Sequence, residues 1–563
     1  MKALIRLLNS TFRNYPYAAA LTGIGLFYLL FLPLDVMDID AAQYASISRE
    51  MSENGQYLQV QQRGSDYLDK PPLLFWLASL SFKIFGVHNF SFKLPALLAL
   101  WLGLWSTYRA ARLFYDQHIA GSAAIILACM QGYFLMVNDV RTDGLLTGFS
   151  AFAVWQLLAY SVHKRIVHLL LAGIGIGLAM LAKGPIGFII PVMACGMHLL
   201  YRRDFRRIFD LRWLLVPLIA FLCLLPMLYG LYQQYDLHPE KEVYGLKGPS
   251  GITFFFWTQS FGRITGDIYW KDDSGPGFFL LSMAWDMAPW YLLFIAAFIF
   301  SAIRIFRNVK NPAAEPETYS FWGFLICLIA LSSSRYKLPH YVFPLFPFAA
   351  VQISAFLFSY KSRLPKAFNY IINSLQIIVL AAIPLMVVLI GIYAFPLSPL
   401  RLFAFGLLIG IAFYLIYQSR RSSAQKWFLA GTAASFWLGA FLAVHFYPAL
   451  LGYQGTSAIG RFIHRNAVPP DHFYALDGHN YSLDFYARRI VPFTSEAALD
   501  TLPSGSFVLV NSEHKTSILQ NKAGMYRMHS VYPDYSVSLL RPGFLRQDTR
   551  AQYLRYLYLI QKQ

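Results

Sequence analysis

Charge is what this chain has least of. Only 13% of its 563 residues are Asp, Glu, Lys or Arg, about half the ~25% of an ordinary soluble domain, while 57% are hydrophobic. That balance excludes an ordinary soluble enzyme. Acidic residues are the scarcer kind, 29 against 47 basic, for a formal net charge of +18. Such an excess would suit nucleic acid, but the basic residues fall in short clusters between apolar runs and read as topology signals instead. Cysteine is nearly absent. Cys129, Cys195, Cys223 and Cys327 all sit inside apolar runs, which points to buried packing, sets aside a disulfide framework or thiolate metal site, and leaves the redox compartment open. The first apolar run, from about residue 17 to 34, has no small-residue cleavage site after it. It is therefore expected as a retained span and not a removed signal peptide. No tandem repeat or low-complexity stretch occurs.

What the chain does have is long apolar runs and rings. Aromatics reach 17%, with 48 Phe and 36 Tyr, as suits a lipid-facing protein with interfacial side chains. A span needs about 20 apolar residues. Runs of that kind centre near residues 26, 103, 128, 152, 174, 193, 221, 290, 326, 350, 383, 409 and 438, about thirteen spans. Followed through this count, Lys2/Arg6/Arg13, Arg109/Arg112, Lys164/Arg165, Arg202/Arg203/Arg206/Arg207, Arg304/Arg307/Lys310, Lys361/Arg363/Lys366 and Arg420/Arg421/Lys426 all fall on one face. By the positive-inside bias that face is cytoplasmic. A miscounted span would break the alternation after it. The opposite face then holds segments at 35–93 and 233–277 and the tail. The fold class expected is a mainly α polytopic membrane protein. A transmembrane part covers 1–448, and a small α/β extracytoplasmic domain covers 449–563, within the usual domain size.

The outer face carries chemistry. Asp35, Asp38 and Asp40 end the first span, and Tyr44, Ile47 and Met51 share one face of a following helix. This predicts an amphipathic helix lying on the membrane surface. Asp69-Lys70-Pro71-Pro72-Leu73 places a carboxylate and an ammonium beside a rigid turn. A lone Asp here reads most simply as a helix cap in water, but Asp40 with Asp69-Lys70 is harder to dismiss. Asn138-Asp139-Val140-Arg141-Thr142-Asp143, Lys183-Gly184-Pro185 and Lys337-Leu338-Pro339-His340-Tyr341 through Pro344 face the same side. Lys83 and Lys93 are read as snorkelling to headgroups. Lys183 lies between paired helices, where a lysine is costly without a partner. His479 in the tail reads as an ordinary turn or surface histidine. Carboxylates can serve as base or hold a metal, and cations can clamp an anionic phosphate. Together, beside lipid, they suggest a lipid-linked phosphate substrate.

These motifs, in this order, resemble the GT-C superfamily of membrane glycosyltransferases, in particular the family of lipid A aminoarabinose transferases and protein O-mannosyltransferases. The resemblance covers essentially the whole chain. It implies Asp40 as catalytic aspartate, Asp143 as second acidic residue and Lys70 as the lysine bridging them. It implies that Lys183, Arg263, Lys337 and Tyr341 handle the donor phosphate. Asp69 falls where relatives contact a metal. Two departures stand out: Ala41 replaces a Glu after the first Asp, and Lys271-Asp272-Asp273 stands where relatives carry a histidine. A divalent metal bound by Asp69, Asp272 and Asp273 would be held through oxygen.

The implied reaction is inverting transfer of a sugar from a polyprenyl-phosphate donor in the bacterial inner membrane. The active site faces the periplasm, with the N-terminus cytoplasmic and the C-terminus periplasmic. Lipid A is the expected acceptor; a protein hydroxyl or a polysaccharide are the alternatives within the family. A lipid-linked sugar flippase is the alternative of another class. Such transporters tend to place charges at mid-membrane and to carry inverted repeats.

Overall fold

The computed structural model describes residues 16–259, 262, 274, 275, 277–477, 480–522 and 524–563. Lys2, Arg6 and Arg13 of the first basic cluster lie outside them. Among the described residues, eight helices are long and apolar enough to cross a membrane by length and composition. A ninth arises if Gln117–Ala128 and Gln131–Asn138, bent by 53° at their junction, are one span. Pro16–Phe31, Leu73–Phe85, Ile186–Tyr201 and Tyr319–Ser332 are apolar but shorter.

The central seam pairs Asn89–Arg112 with Thr142–His163. The first starts on a reciprocal cap between His88 and Ser91 and ends on Arg109 and Arg112, whose charges suit the helix C-terminus. Its partner comes close because Gly148 has no side chain. A Cβ there would stand 2.1 Å from the Ala99 carbonyl oxygen, the small-residue packing that membrane helices use in place of a hydrophobic drive. The 53° bend falls at Cys129–Met130. Side chains take the carbonyls freed there: the Tyr28 hydroxyl donates to Ala128 at 2.6 Å, and the Ser435 hydroxyl donates to Cys129. A break at membrane depth survives only when its backbone groups are re-satisfied in this way. The second arm of the bend ends at Asn138 and leads into Asp139 and Arg141.

The apolar stretch expected near residue 290 resolves into two helices, Phe278–Asp286 and Tyr291–Arg307. The helix after the first span runs Asp40–Asn54, but it does not lie on a membrane surface with its polar face in water. Arg49 and Glu50 are as buried as Tyr44 and Met51. The cover comes from far along the chain. Ser46 donates to the Tyr481 carbonyl at 2.9 Å, and Arg63 forms an ion pair with the fully buried Asp484. Arg63 belongs to the turn of a small hairpin, β1 (Gln61–Gln62) with β2 (Ser65–Asp66). A second hairpin pairs β3 (Glu242–Val243) with β4 (Leu246–Lys247).

From residue 449 onward the chain forms a four-stranded sheet of β5 (Phe473–Ala475), β6 (Phe507–Val510), β7 (Tyr526–Asp534) and β8 (Arg555–Lys562), in the order β5-β6-β8-β7. Only β5 and β6 are parallel. The run Phe507-Val508-Leu509-Val510 is buried on both faces, which explains its unbroken apolar sequence. One face packs Ile459, Ile463 and Leu483 of the helices Gly455–Arg465 and Tyr481–Ala487; the other packs Ile518 of Ser512–Asn521.

Candidate active site

Two acidic loops meet at one end of the helical bundle. Asp40 opens its helix, and its carboxylate accepts from the Arg141 guanidinium, whose Nε donates to Asp139 at 2.8 Å. Burial works against the Arg141 charge, but Asp139 and Asp40 outweigh it and hold the guanidinium more firmly protonated than usual. Arg141 therefore ties the first loop to the turn before Thr142.

Asp143 lies in the first turn of Thr142–His163, 2% exposed, and pairs with Lys183, the last residue of Ile166–Lys183. Each charge sits at the helix end that favours its sign. Gly184 follows at φ +81°, so the chain can turn directly into Pro185 without moving Lys183 from the pair. His340 Nε2 stands 3.7 Å from the other Asp143 oxygen, and the Tyr341 ring centroid lies 3.9 Å from the Lys183 ammonium.

Beside these pairs opens a cleft of ≈ 140 Å³. Its lining combines the polar Lys70, Lys183, Gln259 and Tyr341 with the apolar Ile186, Ile189, Ile190 and Leu331. Cations and apolar side chains on one cleft suit an amphiphile with an anionic head.

The structure redistributes the expected contacts. Lys70 does not bridge Asp40 and Asp143; it pairs with its neighbour Asp69 at 2.6 Å, while Arg141 and Lys183 take the two catalytic candidates. The guanidinium fork reaches two carboxylates at once, which an ammonium on the Pro-Pro turn does not. Lys183 and Tyr341 line the cleft; Lys337 donates to the Ser274 carbonyl at 2.9 Å. Arg263, Asp272, Asp273 and His479 lie outside the described residues. Asp69, the one described member of the expected metal set, accepts from Lys70 and, at 3.3 Å, from Gln259. Among the described residues no group of three or more His, Cys, Asp or Glu is placed to hold a metal. No step below is routed through one.

Four further residues matter. Tyr44, singled out by sequence only for its helical face, is buried within electrostatic range of Asp40, Asp69, Arg141 and Asp143. Both acidic loops thus surround one phenol. Gln259 lines the cleft and holds Asp69. Lys93 is fully buried and does not snorkel; Lys83, by contrast, lies over the Tyr57 ring. Asp38 is buried, and its carboxylate accepts from the Ser482 hydroxyl at 2.8 Å. Burial pushes its carboxyl up to about 7, with the Ser482 and Thr456 hydroxyls opposing and Asp534 adding to the rise.

The Dolichyl-phosphate-mannose-protein mannosyltransferase family profile matches residues 69–229, a stretch that includes Lys70, Arg141, Asp143 and Lys183. The undecaprenyl phosphate-alpha-4-amino-4-deoxy-L-arabinose arabinosyl transferase of Pseudomonas paraeruginosa is 26% identical over 339 residues, 59% of this chain and 58% of that protein. ArnT from Cupriavidus metallidurans, in a crystal structure bound to undecaprenyl phosphate, superposes with a TM-score of 0.69 at 17% identity, over 98% of both chains. The matching family and the named transferase relatives are glycosyltransferases of the GT-C type, and this chain is similar to them. An uncharacterized protein of Aquifex aeolicus is 25% identical over 452 residues, 80% of this chain and 82% of its own length. Against the arabinosyl transferase, the match spans less than two thirds of the relative's length. The fold of this chain is similar to that of ArnT.

Proposed function

We propose that this protein is a glycosyltransferase that moves a sugar from a polyprenyl-phosphate donor to an acceptor on the extracytoplasmic side of the bacterial inner membrane. Its thirteen apolar runs are the spans, Tyr291–Arg307 among them and Leu73–Phe85 not, with the basic clusters cytoplasmic and the sheet-bearing C-terminal domain outside. One observation carries it: a single cleft is lined by two lysines, Lys70 and Lys183, and by apolar side chains, directly beside the Asp143–Lys183 pair.

Asp40 stands 35% exposed at its side chain, open enough to address an acceptor while Arg141 fixes its direction. It orients or deprotonates the acceptor for in-line attack at the anomeric carbon. That carbon inverts, because one displacement suffices and no covalent glycosyl-enzyme is required. The bond to the phosphate oxygen breaks, and its electron pair stays on the polyprenyl phosphate. Lys70 and Lys183 offset that growing charge, with Tyr341 holding the Lys183 ammonium in place. Arg263 and Lys337 are assigned to the same phosphate. A metal at Asp69, Asp272 and Asp273 remains part of the proposal only as an oxygen-ligand site.

The arabinosyl transferase relatives favour 4-amino-4-deoxy-arabinose as the sugar, and the family resemblance favours lipid A as the acceptor. A lipid A phosphate is already anionic near neutral pH and needs little base help. The match to protein mannosyltransferases favours a second reading, transfer to a Ser or Thr hydroxyl, which does need a base. Mass spectrometry of lipid A and of periplasmic proteins from a deletion strain decides. Loss of a sugar from lipid A supports the first reading and loss from proteins the second. Both are wrong if neither fraction changes.

A further inference from the structure

Lys93 is, among the described residues, the most deeply buried cation near the site, 0% exposed, on a helix long and apolar enough to cross a membrane. An ammonium in such a place is expensive and persists only with a full set of acceptors. It has them. Its three protons face three oxygens: the Asn138 side-chain oxygen at 3.0 Å, the Phe31 carbonyl at 3.1 Å and the Asp35 carbonyl at 3.5 Å. Asp35 and Asp139 are the carboxylates that act on its charge.

These oxygens do not belong to one element. Phe31 and Asp35 are the root of the first acidic loop, which runs on to Asp40. Asn138 is the root of the second, which runs on to Arg141. Asn138 also reaches back to the Met37 sulfur at 3.4 Å. At their far ends the two loops are joined again by the Arg141–Asp40 pair. The contacts close a ring, with Lys93 pinning both loops at the base and Arg141 joining them at the tip. A slip of either root changes where Asp40 points.

We infer that Lys93 is a positioning residue for Asp40: its buried ammonium sets the register of the two acidic loops, so that Arg141 meets Asp40 in the orientation that transfer requires. This rests on the reading of Asp40 as the group that addresses the acceptor. It also separates Lys93 from the cleft lysines, because Lys93 meets neither donor nor acceptor.

The test is a cycle of full-length variants in membranes of a deletion strain at matched expression. Transfer rate per enzyme is read by mass spectrometry of the modified acceptor, and undecaprenyl phosphate affinity by thermal-shift titration. Lys93→Met should slow transfer about tenfold or more in the otherwise native protein, but no more than about twofold in an Arg141→Gln background, where the loops are already uncoupled. Affinity for undecaprenyl phosphate should hold within about twofold, since the cleft is untouched. Lys93→Arg, which keeps charge and donors, should retain more activity than Lys93→Met. Equal losses in both backgrounds, an unchanged rate, or affinity falling in step with rate would each overturn the proposal in favour of a general structural role. Should Lys93→Met not accumulate, Lys93→Gln takes its place in the cycle. Asp40→Asn is run alongside. Full activity in that variant removes the Asp40 reading itself, whereas an inactive Asp40→Asn with a normal Lys93→Met removes only the Lys93 inference.

Discussion

The two ends of the bundle use charge in opposite ways. At the Arg-rich end, ion pairs are short in sequence and open to water. Arg207 and Asp204, three residues apart, are 40% and 28% exposed, and Arg212 pairs with Asp210 two residues away. Even the buried pair there, Arg304 with Glu315, closes a loop of only eleven residues. At the site end two pairs are distant, beside the local Lys70–Asp69 and Arg141–Asp139 pairs: the buried Asp143 reaches Lys183 across 40 residues, and the partly exposed Asp40 reaches Arg141 across 101. Local, wet pairs record which way the helices thread. Distant pairs hold groups that the chain would otherwise keep apart. Desolvating them is costly, so their presence needs a reason beyond stability.

Substitutions can break this contrast. The largest effect is expected for Asp40→Asn, a loss of about 10²–10⁴ in transfer rate, the range for a positioned acid–base group. A rate within a factor of about two of wild type would remove Asp40 from the reaction. Next, Asp143→Asn leaves the Lys183 charge without its buried partner, and should cost about 3–5 kcal/mol of stability together with transfer. Chemical denaturation in detergent measures it, and a simultaneous Lys183→Met should recover part of the stability but none of the activity. Lys70→Met should weaken undecaprenyl phosphate binding by about 1.5–3 kcal/mol, the worth of a charge-assisted contact, as read by titration.

Asp38→Asn should show its effect in pH dependence. Burial raises the Asp38 carboxyl to about 7 in the folded protein, above its unfolded value. Folding therefore favours the protonated form, and stability drains away as pH rises from the unfolded value towards 7, with no further loss beyond. The Asn variant cannot ionise. It should gain thermal stability over wild type at pH 8 and lose that advantage at pH 4. At the other end, Arg207→Gln should change stability by less than about 1 kcal/mol, as exposed pairs do. A larger cost there would erase the contrast.

Much of the site was legible because its residues offend the membrane. Asp40, Asp143, Lys70 and Lys183 stand out as charges at the ends of apolar runs, and the Pro-Pro and Gly-Pro steps beside them mark tight turns. Partnership was not legible. A lysine at the end of an apolar helix looks the same whether it is exposed over a tyrosine ring, as at Lys83, or enclosed, as at Lys93, because the difference lies in helices packed around it. The helix Asp40–Asn54 was legible as a helix from its apolar spacing. Its burial was not: Glu50 accepts from the Arg63 backbone, and Ser46 and Arg63 are in turn held by Tyr481 and Asp484, more than 400 positions away. The break at Cys129–Met130 was hidden for a related reason: the sequence 117–138 contains no Asp, Glu, Lys, Arg or Pro to mark it, and what permits the bend is a hydroxyl on Ser435.

The long reach of the first loop has a consequence for how the protein is made. Asp35 waits for Arg461, Asp38 for Ser482 and Arg63 for Asp484, across 426, 444 and 421 residues. At ribosomal speeds of about 5–20 residues per second, that wait is on the order of tens of seconds. Throughout it Asp35, Asp38 and Arg63, which flank Asp40 in the chain, lack these partners. The nascent chain therefore completes its apolar helices first and its candidate site last, and a chain that stalls before residue 484 leaves that site unfinished.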